Sequence, residues 1–215
     1  KQKIGDIEGI ARNNNNLCEL YRDRGDYAKA LEFGKQALAV GEKIKHGNII
    51  CFALINIAHI KILQNQYDSA IADLNRCISI ATTMGSKERI AEAQWLLAEA
   101  HLELSQVLAA QSFADQALTL STEIGRKLIE GKVLRTLARI AQAQNDLPKA
   151  SDCIEHSLEI LTDLKSRFEL AKSQFQLACL QEMQGKIDEA RTTLNQTIET
   201  YTRLGAEEER QRATA

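Results

Sequence analysis

Apolar, small and polar positions recur along this chain with a period of about 40 residues, inside the range that marks repeat architectures. Ala30, Ala70, Ala110, Ala150 and Ala190 stand at equal intervals inside the segments GDYAKAL, NQYDSAI, SQVLAAQ, NDLPKAS and GKIDEAR, and no insertion breaks the register. A large apolar column (Leu17, Ile57, Leu97, Leu137, Leu177) is followed directly by a small one (Cys18, Ala58, Ala98, Ala138, Ala178). Leu38, Ile78, Leu118, Leu158 and Ile198 make a third column. Ile44, Met84, Ile124, Leu164 and Leu204 make a fourth, followed in three cases by a punctuating glycine (Gly85, Gly125, Gly205). Self-similarity at such a period decides the architecture before any local pattern does.

Inside each period the apolar residues fall at helical spacing in two stretches, as in Ile90, Ala91, Ala93, Leu97, Ala98 and then Ala110, Phe113, Ala117, Leu118. Each repeat is therefore predicted to be an antiparallel helix pair, and the fold all-α. The first helix is expected to end near Gly25-Asp26 or Asn145-Asp146, with Asp26 and Asp146 capping the second. Pro148 then falls in a first turn, where its missing N–H costs little. The small columns mark places where backbones pass too closely for larger side chains.

Large apolar then small in the first helix, with alanine twelve residues beyond the small one (Cys18 to Ala30, Ala58 to Ala70, Ala98 to Ala110), resembles the tetratricopeptide repeat. The resemblance runs from about Asp6 to Leu204 as five repeats and implies a right-handed α-solenoid. Two departures stand out. The family's commonest period is about 34 residues; the longer one here implies longer helices and is similar to the long-repeat subgroup found in kinesin light chains and in bacterial regulators. The family's tyrosine near the end of the first helix survives only as Tyr21, replaced by Lys61, His101, Ala141 and Gln181.

On this reading residues 1–215 form one solenoid, with repeats near 7–46, 47–86, 87–126, 127–166 and 167–206, and 207–215 opening a further helix. Lys3-Ile4-Gly5-Asp6 matches the repeat end at Glu123-Ile124-Gly125-Arg126. The chain is accordingly expected to be a fragment of a larger protein.

Composition narrows the function. The apolar 44% is mostly Ala, Leu and Ile, and 27 basic against 29 acidic residues leave a net charge of −2, with no field to draw in nucleic acid or anionic membrane. No apolar run approaches the roughly 20 residues needed to cross a bilayer. Five dispersed cysteines without a CxxC suggest neither a disulfide framework nor a zinc cluster, and fit a reducing, cytoplasmic compartment. There is no GxSxG, phosphate loop or HExxH, and Cys153 with His156 are two ligands where zinc needs more. Neither an enzyme nor a cofactor or metal is expected.

What the resemblance implies instead is capture of a protein or peptide in the concave groove lined by the first helices. The lattice places Arg12, Asn15, Asn16, Glu19, Phe52, Asn56, His59, Trp95, Glu99, Arg135, Arg139, Phe175 and Gln176 there. Asn16 and Asn56 precede the large apolar column, and an amide offers a bound backbone both donor and acceptor; Asn13 to Asn16 reads equally as a solvated face. Trp95 and Phe175 are either flat docking surface or core. Glu92 and Glu99 beside Lys132, Arg135 and Arg139 make either a charge-reading groove or cross-repeat pairs, Glu92–Lys132 and Glu99–Arg139. Two alternatives to a peptide-binding scaffold stay open, a ligand-sensing segment of a bacterial signalling or transcription-regulating protein, and a passive spacer or self-association module.

Overall fold

In a computed structural model, residues 2–214 are described and form eleven helices. The order is α1 (Gln2–Asp23), α2 (Tyr27–Lys43), α3 (Gly47–Leu63), α4 (Tyr67–Thr83), α5 (Lys87–Glu103), α6 (Val107–Glu123), α7 (Lys127–Ala143), α8 (Leu147–Asp163), α9 (Arg167–Met183), α10 (Ile187–Leu204) and α11 (Glu207–Thr214). Consecutive helices pack side by side as hairpins, each hairpin resting on the next, and the odd-numbered helices also touch one another. The result is an all-α, right-handed solenoid whose inner wall is built by α1, α3, α5, α7 and α9.

The backbone repeats twice as often as the side chains. Helices α2 to α9 each have 17 residues, and every turn from α1 to α11 contains one residue with positive φ: Gly25, Lys45, Asn65, Ser105, Asn145 and Lys165 among them. These residues recur at half the side-chain period, so one turn geometry serves both the hairpin and the link to the next hairpin. Glycine adopts that conformation freely, whereas Lys45, Ser105 and Lys165 adopt it at a cost. Asp26 and Asp146 cap α2 and α8 through the N–H groups of Lys29 and Lys149, and Pro148 sits in the first turn of α8. At the start of the chain, α1 runs unbroken through Gly5, where the match to residues 123–126 expects a turn. A glycine inside a helix costs only about 1 kcal/mol, so the tetrapeptide alone does not dictate a reversal.

Close approach accounts for the small columns. Ala30, Ala70, Ala110 and Ala150 are fully buried, as are Ala37, Cys77, Ala117 and Ser157 further along the same helices. Ser157 Oγ donates to the Gly131 carbonyl at 2.7 Å, and a Cβ built on Gly131 would stand 3.0 Å from Leu161. The large column fills the layer between hairpins: Leu97 is fully buried, and Ile57 and Leu137 are each 4% exposed. Leu20 shows the same logic in reverse. Its counterparts Ile60, Ala100 and Ile140 are fully buried under the preceding hairpin, whereas Leu20, with none before it among the described residues, is 44% exposed. None of the described helices is long and apolar enough to cross a membrane.

Candidate functional site

The repeat period stacks equivalent side chains of successive first helices into rungs, and the inner wall they form encloses a groove of about 470 Å³. His59, Trp95, Glu99, Arg135, Arg139, Phe175 and Gln176 all line it. These come from four successive hairpins, so an occupant of the groove touches most of the array at once. Its apolar floor is His59, Trp95, Leu96 and Phe175, with the His59 ring edge-on to Trp95 at 5.5 Å between centroids. Trp95 Nε1 donates to Thr136 Oγ1 at 3.0 Å, which fixes the indole in the wall.

Most charges on the wall are paired between hairpins rather than free. Arg139 bridges Glu99 and Glu103, and the Thr136 hydroxyl donates to Glu99. Arg135 binds Glu169 at 2.7 Å and donates to the Glu169 carbonyl at 3.2 Å, with Lys132 3.4 Å from the same carboxylate. Lys172 faces Glu209 at 3.8 Å. Of the two cross-repeat pairs expected from the lattice, Glu99–Arg139 forms. Glu92 instead pairs with Arg89 within its own helix, which leaves Lys132 to Glu169.

Burial alone would raise the carboxyl pKa of Glu99 and Glu169. Arg139 and Thr136 outweigh it for Glu99 and hold its pKa down, and Lys132, Arg135 and Lys172 press that of Glu169 well below the usual carboxylate range. Burial, with Arg22, Lys172 and Lys132 nearby, pushes the His59 pKa well below its ordinary value, so its ring is neutral and serves as wall.

The residues of the first hairpin, with Phe52 and Asn56 of the second, are placed differently. Arg12 and Asn16 are exposed, and Phe52 is half-buried with the Arg89 guanidinium 4.7 Å above its ring. Asn15 is fully buried and, among the described residues, neither its amide nitrogen nor its oxygen has a partner. Asn56 is 1% exposed; its oxygen accepts from Arg22 Nη1 at 3.2 Å, while its amide nitrogen has no partner among the described residues. Glu19 is half-buried, and burial raises its pKa. None of these six lines the groove.

In their place the groove takes residues that the first-helix lattice does not name. Asn65 comes from the turn of the second hairpin and Tyr67 from the start of α4, and Tyr201, Glu209 and Arg212 from the end of α10 and from α11. The reason is curvature: α11 comes round far enough to meet the first hairpin. A Cβ on Gly25 would lie 3.1 Å from Glu208 Cβ, and burial together with the Glu208 carboxylate raises the Tyr27 pKa. Superhelical pitch has no local sequence signature, so spacing alone did not point to these residues.

A superhelix of helical hairpins with a lined inner groove defines a class of interaction scaffold. Models described as tetratricopeptide repeat match residues 9–83 and 89–163, and a further one matches 172–202; the chain belongs to the tetratricopeptide repeat family. It is 24% identical over 145 residues to tetratricopeptide repeat protein 29 of Homo sapiens, covering 67% of this chain and 30% of that protein, with the Macaca fascicularis counterpart alike. The chain thus corresponds to under a third of these relatives' length. Among solved structures, a Rap protein complexed with competence and sporulation factor superposes with a TM-score of 0.75 at 13% identity, covering 91% of this chain and 54% of that one. A putative kinesin light chain with nearly identical TPR-like repeats from Podosopora anserina gives 0.59 at 21% identity, covering 92% and 96%. At such identities the likeness is one of fold.

Proposed function

We propose that this chain captures a short segment of a partner protein or peptide in its inner groove. The observation that carries the reading is the groove itself, whose floor of His59, Trp95 and Phe175 is ringed by carboxylates and guanidinium groups from several hairpins. Its 470 Å³ suits a few residues of extended chain, within the range of about 300–1,000 Å³ usual for bound ligands. Aromatic floor and charged rim are the division of labour that gives affinity and register respectively. Binding rather than turnover is the proposed role, since the wall's polar groups are engaged in holding one hairpin to the next.

Trp95 is the sole tryptophan and makes the test direct. Peptides selected from a random library on the immobilised chain should shift its emission on titration. Phe175→Ala and Arg139→Ala should each weaken that binding about tenfold or more, as expected of anchors near the centre of an interface. Selected peptides that leave the Trp95 emission unmoved and bind both variants equally well would refute the site.

A second reading, a ligand-sensing segment of a regulator, draws on one observation. Glu209 and Arg212 of α11 form part of the groove wall while Glu208 of the same helix rests on Gly25. An occupant that displaces α11 would therefore loosen the contact between the two ends of the array.

A further inference from the structure

The outer side of the solenoid carries a second cleft of about 540 Å³, which shares no lining residue with the inner groove. It opens where α6 and α8 diverge over the first half of α7. Its apolar surface is Leu118, Leu134, Ile160 and Leu164, the last 45% exposed. One residue of its lining, Glu130, departs from the lattice. Position 130 is glutamate where its counterparts one repeat to either side, Ile90 and Leu170, are aliphatic. Glu130 pairs with Lys127 Nζ, 2.9 Å away, and both side chains line the cleft, so the cleft's one lysine is already neutralised there.

Charge decides what fits there. Helix α8 carries a single lysine, Lys149, against Asp152, Glu155, Glu159 and Asp163, which fall on one face at helical spacing and are all exposed. None of the four takes part in an ion pair among the described residues. Glu159 and Asp163 form the rim of the cleft, and the acidic face extends from it for roughly 16 Å, about three helical turns. The inner wall, by contrast, has its charges paired. An unbalanced acidic ridge beside an aliphatic trough is complementary to one kind of partner, a helix with leucine-like residues on one stripe and lysine or arginine along its flank.

We infer that this outer cleft is a docking site for a basic amphipathic helix of a partner protein, lying along α8 with its apolar stripe on Leu134, Ile160 and Leu164. The site is independent of the inner groove.

The experiment uses a fluorescein-labelled helical peptide of about twelve residues, leucine at i, i+3, i+4 and i+7 and lysine elsewhere. A scrambled peptide of identical composition serves as control. Anisotropy titrations on the whole chain should show saturable binding that weakens with added salt and is at least tenfold tighter than for the scramble. Glu159→Lys with Asp163→Lys should reduce binding tenfold or more at unchanged circular dichroism. Leu164→Asp should weaken it likewise, although that change adds negative charge beside the cleft. Phe175→Ala in the inner groove should leave it unaltered. Equal binding of the scramble, or full binding by the charge-reversed variant, would overturn the inference. Sedimentation showing that Leu164→Asp instead dissolves a dimer of this chain would overturn it too, since the occupant would then be a second copy.

Discussion

Arg135 and Glu169 put a number on how the inner wall is held. Their side chains are 8% and 9% exposed, and the guanidinium reaches the carboxylate, the Glu169 carbonyl and, at 3.4 Å, Ser173 Oγ. Truncating Arg135 to alanine removes those contacts and leaves Glu169 buried with Lys132 as its remaining ion-pair partner and Lys172 further off. Breaking a buried pair from one side costs about 3–5 kcal/mol; with Lys132 still 3.4 Å away, about 2–4 kcal/mol is expected. For a chain of this size that is roughly 4–16 °C in melting temperature. Arg135→Met with Glu169→Leu should cost far less than the two single changes together, because the desolvated charges leave in one step. Thermal and urea unfolding followed by circular dichroism and by Trp95 fluorescence, one hairpin away, test both claims. A loss under about 1 kcal/mol for Arg135→Ala, or a double variant equal to the sum of the singles, would show that the pair is solvated and contradict its burial.

Other expectations follow from the same packing. His59 has its pKa depressed in the fold, so the unfolded chain binds a proton first. Stability is then complete above the unfolded value near 6.5 and falls as pH drops through it, while the depressed Glu169 and Glu99 remove further stability only below about 4.3. Urea midpoints across pH should therefore decline in two stages, and His59→Gln should abolish the first. Ala150→Leu, at a fully buried small position, should cost about 1–3 kcal/mol of stability in a urea melt. Ser105, held at φ 59°, should give a melting temperature a few degrees higher when replaced by glycine, and Asn145→Gly should gain less, because asparagine tolerates that conformation better. Equal effects at the two turns would count against backbone strain as the cause.

Much of the architecture was legible because it is written at fixed intervals. Five equally spaced alanines give the hairpin count, Asp26 and Asp146 give helix starts, and Gly85, Gly125 and Gly205 give helix ends. The doubled backbone period was not legible, since Lys45, Asn65, Ser105, Asn145 and Lys165 occupy the same left-handed position as the glycines without resembling them. The site divided along the chain. His59, Trp95, Glu99, Arg135, Arg139, Phe175 and Gln176 converge as their rungs suggest, but Asn15 and Asn56 are buried, with Arg22 on the Asn56 oxygen.

That division has a physical cause. A repeat lattice fixes which way a side chain points relative to its own hairpin, but how much room lies in front of it depends on the whole superhelix. Tight curvature brings Glu19 within the electrostatic reach of Lys132, three hairpins on, and Arg22 within that of Glu169, four hairpins on. The same rung therefore faces filled space in the first hairpin and open space from the third to the fifth. Asn56 serves more as a partner for Arg22 than as a free amide, so its replacement by leucine would leave that buried guanidinium with Asp23 alone and confound folding with binding. Phe175 is the better probe of the groove. It lines the open part of the wall and stands outside the ion pairs between hairpins, whereas Arg139 bridges Glu99 and Glu103.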